Sequence, residues 1–508
     1  MLKNVYKNFP TFSWSKFGWQ TLKELVALII LLLLSFYVVY FTSQTISRLF
    51  FLVLLCLFFF FKKDYFWFAY FFIVAQGPGN FFADFSGTSL YRLPLYTFLR
   101  GFSFTPLDLF VILAFVKALT KGKRIKLHLE RPLVLLFLYM IFVVFITSFM
   151  SGTNIEILSW NFRWLFYYSI IISFLYLVNK KCEIYQFILL ISPLVFFILS
   201  TQIYYAMNGN EVINLFNPEF RGVTLNTVTG ALRPLSGGTL IVFFGFLSSI
   251  LLLLDKNYEL PRVYLYLVMV AAFLSVFLSA TRLWFVIFSF IFAGYIMVTK
   301  KKILSTLGIV SISFVVISTL IYSGLISSDL LLHSSWARVQ QVFDVARGDV
   351  YSVDTAMNRL VNQFPIIMRI IKQNPLIGHG FSNVTMSYYD SDFGFLNTIL
   401  MFGILGFSLF IYFFIKYFEM IISSIKKISD SNPFKTQLKV LAILWVGILI
   451  GYFSTWDFFT MYFYKVFFIS ILIAFTEIFI TRAKNEEIIY KTRNIQKQIL
   501  NNTQARGN

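Results

Sequence analysis

The chain has 508 residues, of which 58% are apolar and only 13% charged, and its net charge is +20. That positive balance does not describe a soluble nucleic-acid binder, because the charge sits in short segments between long uncharged runs. Nor does the pattern fit an outer-membrane barrel, which would alternate polar and apolar residues over segments of about ten.

Runs such as 25–42, 237–254 and 303–322 approach or exceed the roughly 20 residues that cross a bilayer. The expectation is an all-α, polytopic integral membrane protein with about 12–14 transmembrane helices and one large external loop late in the chain. Residues 1–20 form a cytosolic N-terminus. The first apolar run is too long for a signal-peptide core and no small-x-small cleavage site follows, so it stays as an anchor. The predicted spans are 21–42, 48–61, 65–76, 105–120, 132–150, 163–179, 184–206, 237–254, 262–280, 283–298, 303–325, 391–416, 437–453 and 459–480. Helices 1–11 thus occupy 21–325, with external loops at 77–104, 151–162 and 207–236. The large external loop is 326–390, and helices 12–14 fill 391–480. The tail 481–508 is polar and basic, a partly helical or disordered cytosolic extension drawn to anionic lipid.

With both termini cytosolic, the lysines sort to one side. Lys62, Lys63, Lys121, Lys123, Lys126, Lys180, Lys181, Lys300, Lys301, Lys302, Lys426, Lys427 and the basic tail all fall inside, the positive-inside pattern. Arginine does the opposite. Thirteen of the 43 basic residues fall outside or in the outer membrane, and eleven of them are arginine. These are Arg48, Arg92, Arg100, Arg163, Arg221, Arg233, Arg282, Arg338, Arg347, Arg359 and Arg369, joined by Lys372 and Lys465. A guanidinium binds phosphate oxygens bidentately where an ammonium is a point charge. The set therefore reads either as an external site for a phosphate-bearing or acidic ligand, or as partners of outer carboxylates such as Asp344, Asp349 and Asp354.

The candidate site centres on residues 357–406. Met357, Leu360, Val361, Phe364, Ile367, Met368 and Ile371 share one helical face, with Arg359 and Arg369 on the other. Such a segment floats on the outer leaflet with its arginines turned from lipid, and Pro365 kinks or ends its first part. His379 lies between Gly378 and Gly380, where it can act as a base or a hydrogen-bond donor. Asp390 and Asp392 directly precede a span; a carboxylate there can deprotonate a hydroxyl, or simply balance arginines. Arg282 in LSATRLWFV, Arg233 in ALRPLSGGTL and Arg221 complete the basic set, while Tyr388 and Tyr389 offer aromatic faces. Asp108, in TPLDLF, reads as a lone buried structural acid. No Walker loop, no His-Glu-x-x-His and no paired-cysteine motif occurs; Cys56 and Cys182 make neither a disulfide framework nor a metal site.

These stretches resemble the O-antigen polymerase and O-antigen ligase superfamily of bacterial membrane glycosyltransferases. LSATRLWFV is similar to the family's Ser-Arg stretch at the outer end of a span. MNRLVNQFPIIMRIIKQNPLIGHGF is similar to its arginine, apolar helix and Pro-Leu-x-Gly-x-Gly pattern, with ten residues between Arg369 and Gly380. DFGFLNTILMFGILG is similar to the segment that closes the large loop, with Leu396, Gly403 and Gly406 in phase. The likeness covers the second half of the chain well and the first half by topology only. It departs at Asp392, where the ligases carry a histidine, and this favours a polymerase unless His379 substitutes.

The resemblance implies a metal-independent, cofactor-free enzyme of the bacterial inner membrane acting at its external face on undecaprenyl-diphosphate-linked oligosaccharide. The growing glycan passes from its carrier to the non-reducing end of a new carrier-linked repeat unit, making O-antigen, capsule or exopolysaccharide. Asp392 is then the acceptor base, Arg282 and Arg359 hold the diphosphate with Arg233 and Arg369 next, and Tyr388 and Tyr389 stack on sugars. Membrane lipids are partners, a chain-length regulator is a candidate partner, and nucleic acid is not expected. The rivals are a ligase transferring finished glycan to lipid A core or protein, and a flippase of lipid-linked oligosaccharide. A flippase calls for charges deep in several helices around a central cavity, whereas here the arginines gather at one face.

Overall fold

The computed structural model describes residues 14–76, 93–99, 102–121, 127–150, 152–153, 158, 163–208, 223–225, 232–234, 238–255, 261–279, 282–299, 347, 358–389, 393–430, 432–454, 459–460 and 463–505. These form an all-α polytopic membrane protein. Uninterrupted apolar runs become helices because only a helix or a closed barrel satisfies every backbone group in hydrocarbon.

The first half of the chain contributes α1 (Trp14–Phe41), α2 (Gln44–Phe60), α3 (Asp64–Val74), α4 (Pro106–Thr120), α5 (Glu130–Met150), α6 (Ser169–Leu177), α7 (Lys181–Ile191) and α8 (Leu194–Asn208). Then come α9 (Thr239–Leu254), α10 (Arg262–Leu278) and α11 (Arg282–Thr299). A π-helical turn, Asn358–Gln363, leads into α12 (Phe364–Ile371), α13 (Asn383–Tyr388), α14 (Gly394–Lys427), α15 (Pro433–Ser454) and α16 (Phe463–Ala505). Two small antiparallel hairpins interrupt the helices. In one, β1 (Tyr96–Leu99) pairs with β2 (Phe102–Phe104); in the other, β3 (Val223–Leu225) pairs with β4 (Leu232–Pro234).

Among the described residues, six helical stretches are long and apolar enough to cross a membrane, including Gly394–Lys427 and Phe463–Ile488, and shorter apolar helices accompany them. The predicted span 184–206 is two helices, because Pro193 has no N–H to continue the ladder and Ser192 closes α7. The span expected to end at 416 runs on to Lys427, and α16 continues through the basic tail as one helix to Ala505. The predicted span 303–325 and most of the loop 326–390 lie outside the described residues.

Helices that are apolar all round occupy the centre. Every residue of α9 from Leu240 to Leu254 is buried, and 94% of the apolar window of α16 is buried. Aromatic rings fill the space between them: Phe72 meets Phe187, Phe244 and Phe467, and Phe110 stacks on Phe71 at 4.1 Å.

One end of the bundle is tied by lysines. Asp64 receives Lys117 and Lys121, each at 2.7 Å, and Lys117 also donates to the carbonyls of Phe58 and Phe61 that close α2. Glu24 accepts from Lys63 and Tyr65, both at 2.8 Å, while Lys181 pairs with Asp255 at 2.8 Å. His128 meets Glu477 at 2.8 Å.

At the other end of α4, Asp108 is not the lone acid its sequence suggests. It closes a capping box with Thr105, whose N–H and hydroxyl donate at 2.6 and 2.8 Å. It also accepts from Tyr167 at 3.0 Å and is paired with Arg163. Arg163, one of the eleven arginines expected outside, is therefore a largely buried counter-ion that joins the α4 terminus to the start of the α6 region. Asp108→Asn leaves that guanidinium without its charge partner and is expected to cost about 3–5 kcal/mol. Thermal unfolding of the purified protein in detergent measures it, and Asp108→Asn combined with Arg163→Gln should recover part of the loss.

Candidate functional site

α14 is one helix by sequence but is broken at Gly403, whose backbone sits at φ 65°, ψ −174°. A break in a membrane helix leaves carbonyls and N–H groups without their i,i−4 partners, each costing several kcal/mol in hydrocarbon. The loop Asn374–Gly380 supplies those partners. The N–H groups of His379 and Gly380 donate to the carbonyls of Leu400 and Met401, both at 2.8 Å. On the far side of the break, the N–H groups of Ile404 and Leu405 donate to the carbonyls of Pro375 and Leu376, at 2.8 and 3.2 Å. A side chain completes the set: the Tyr139 hydroxyl on α5 donates to the Phe402 carbonyl at 3.0 Å and accepts from the Gly406 N–H.

Two glycines make the approach possible. A Cβ on Gly378 (φ 80°) would stand 2.5 Å from the Gly403 nitrogen, and a Cβ on Gly403 would stand 2.1 Å from the Leu376 oxygen. The Gly-x-Gly element read from sequence as a catalytic loop is thus first a backbone graft into α14.

Residues around the graft are held firmly. Asn374 Nδ2 donates to the Gly378 carbonyl at 2.6 Å, and Thr385 Oγ1 donates to the Gly380 carbonyl at 2.7 Å. Phe381 packs edge-on against Trp164 and Phe402, and Ser382 caps α13. The amphipathic α12 lays Ile367, Ile370 and Ile371 against Phe393, Leu396 and Leu400 of the α14 start, while Val361 and Ile366 stay exposed. Pro365 marks the expected change within the segment: the π-helical turn ends at Gln363, and the α-helix begins with Pro365 in its first turn, where a missing N–H costs nothing.

His379 is half-buried, and its Nε2 lies 2.9 Å from the Ile370 carbonyl, which also accepts the Gln373 N–H at 3.0 Å in the turn that closes α12. A carbonyl only accepts, so Nε2 carries a proton, and in the neutral ring the lone pair is then on Nδ1. His379 therefore ties the graft to α12 while retaining one basic nitrogen. Arg369, next to Ile370 in the chain, is exposed, as is Lys372, and neither has an ion-pair or hydrogen-bond partner among the described residues. Tyr388 is exposed and Tyr389 half-buried against the core.

The structure thus brings Arg369, His379, Tyr388 and Tyr389 onto one short compact unit. Arg359 lies in the π-helical turn before α12, Arg282 is the first residue of α11, and Arg233 pairs with Thr224 across the second hairpin; these three are placed by backbone alone. Ile287 and Phe290 of α11 flank Gly447 of α15, and Ile443 lies against Gly294. The two helices run antiparallel, so Arg282 stands level with the end of α15, where Tyr452 bonds Thr398 at 2.5 Å. Arg282 and the graft therefore occupy the same end of the bundle, opposite the lysine ties. Asp390, Asp392 and Arg221 lie outside the described residues, Asp392 immediately before the Phe393 that precedes α14.

Sequence reasoning missed Tyr139, Thr147 and Trp164. Thr147 is the atom group that a Cβ on Gly380 would strike, and Trp164 buries Phe381. Each is a single residue on a distant apolar helix, and the few hydroxyls of the α5 run, on Tyr139, Thr147 and Ser148, were the available signal. Among the described residues, no three His, Cys, Asp or Glu side chains group to hold a metal ion. No known protein-family model matches the chain, and no curated protein matches it.

Gly378→Ala and Gly403→Ala each place a methyl into backbone and force a positive φ on a side chain. Together these effects predict a loss of about 2–5 kcal/mol. Gly447→Ala, whose Cβ would meet Phe290 at an ordinary 3.5 Å, serves as the neutral comparison. Tyr139→Phe should cost about 1–3 kcal/mol through two unmade buried bonds. Denaturation midpoints of the four variants in one detergent test the graft.

Proposed function

We propose that this chain is a polymerase of lipid-linked oligosaccharide repeat units, acting in the bacterial inner membrane at the face opposite the lysine-rich end. In this reading the anomeric bond to undecaprenyl diphosphate breaks, the diphosphate leaves with the electron pair, and a hydroxyl of the incoming carrier-linked unit bonds to the anomeric carbon. The hydroxyl proton passes to the Asp392 carboxylate.

The observation that carries the reading is the exposed Arg369, without a partner among the described residues, on the helix that His379 ties to the graft, within a set of basic residues expected outside that is almost wholly arginine. Such a guanidinium is free for phosphate oxygens, unlike Arg163, which Asp108 occupies. Arg282 and Arg359 are assigned to the diphosphate, with Arg233, Arg369 and Arg221 beside them. Each charge-assisted contact to the leaving group supplies about 1.5–3 kcal/mol, so guanidinium groups stand where a metal ion otherwise would. Asp390, Tyr388 and Tyr389 are assigned to the sugars.

A ligase is the second reading, favoured by the lone pair that His379 keeps on Nδ1, since a histidine base suits transfer of finished glycan to lipid A core or protein.

A glycan length profile in the native host separates these. Deletion of the gene, Arg369→Ala, Arg359→Ala and Asp392→Ala are each expected to reduce the ladder to single repeat units. Long carrier-linked polymer accumulating without transfer would establish the ligase instead. A normal ladder from all three point variants, at unchanged protein level, would remove these residues from the site.

A further inference from the structure

α14 and α15 leave a groove of about 760 Å³ on the side of the bundle, lined by Phe414, Phe418 and Ile422 of α14 and Leu449 of α15. A second hollow of about 420 Å³ continues it along Val446 and Phe453. The lining is apolar except toward the lysine-rich end. There Lys426 and Lys427 stand exposed at the mouth beside Ser423. The one carboxylate in the groove, Glu419, is already paired with Lys416 at 2.7 Å. Neighbouring Lys435 is likewise matched, with Asp430 at 2.8 Å. Lys426 and Lys427 have no such partner among the described residues. The mouth therefore carries uncompensated positive charge at the head of a hydrocarbon slot. The groove-lining stretch 411–427 rises through roughly 24 Å. One leaflet of hydrocarbon is about 15 Å deep, so a whole acyl chain lies along the groove when its headgroup is level with the two lysines.

We propose that this groove is a binding site for an anionic phospholipid of the leaflet at the lysine-rich end, with the phosphate between Lys426 and Lys427 and the acyl chains along Phe414 and Phe418. A net negative headgroup completes the charge that the protein leaves open, whereas a zwitterionic one brings its own cation to a mouth that already repels it. This site is separate from the graft and from the proposed glycan chemistry.

The test uses the full chain in nanodiscs of phosphatidylcholine with added phosphatidylglycerol, followed by stepwise delipidation and native mass spectrometry. Wild-type protein is expected to keep one phosphatidylglycerol after bulk lipid is lost. Lys426→Gln combined with Lys427→Gln should lower that retention at least tenfold, and Lys439→Gln, an exposed lysine that does not line the groove, should leave it unchanged. If the double variant aggregates, the two single variants are compared in its place. Equal retention by wild type and variants overturns the proposal, as does phosphatidylcholine held as tightly as phosphatidylglycerol. Displacement of phosphatidylglycerol by an added long-chain isoprenyl phosphate overturns the choice of occupant.

Discussion

A helix cannot be interrupted inside hydrocarbon unless something else bonds its open backbone, and the region around Gly403 is built on that constraint. Four N–H···O bonds between the 374–380 loop and the two halves of α14, with Tyr139 across the next turn, replace the ladder that the break removes. Everything local follows from this exchange. Gly378 and Gly403 must be glycine because two backbones touch there, Thr147 fixes how closely Gly380 can approach, and α12 is brought down onto the first half of α14. The exposed Arg369 and the half-buried His379 thus stand on elements bonded into α14, although the sequence around His379 reads as loop.

The all-α membrane class was legible because hydrophobic length is a direct consequence of bilayer thickness, and six of the described helical stretches have that length. Helix interruptions were less so. Pro193 splits α7 from α8 through a missing N–H that is visible in sequence, yet the run 184–206 remains apolar across it. Gly403 gives still less warning, since a glycine in a membrane helix more often marks close helix contact, as Gly294 and Gly447 do here. What makes Gly403 a break is a partner 25 residues earlier, and no local pattern records that pairing.

The arginines expected at the external face divide according to whether a carboxylate reaches them. Arg163 is consumed by Asp108, in a contact that fixes α4 against the α6 region and removes this arginine from any ligand site. Its pairing was hidden from the sequence because 55 residues separate the two. Arg369 is the contrasting case, exposed and without a described partner. A count of arginines on one face therefore overstates how many can meet a ligand; the informative number is what remains after internal pairs are set aside.

The direction of the graft has a consequence for biogenesis. The loop that donates to and accepts from α14 precedes it in the chain, so its peptide groups already exist when Leu400–Leu405 leave the ribosome. The interrupted helix then enters the membrane with its substitute ladder close at hand, separated by a short stretch whose closure costs little entropy. Were the order reversed, the open carbonyls of Leu400 and Met401 would face lipid until later sequence arrived. Chain order here matches the order in which the backbone needs its partners.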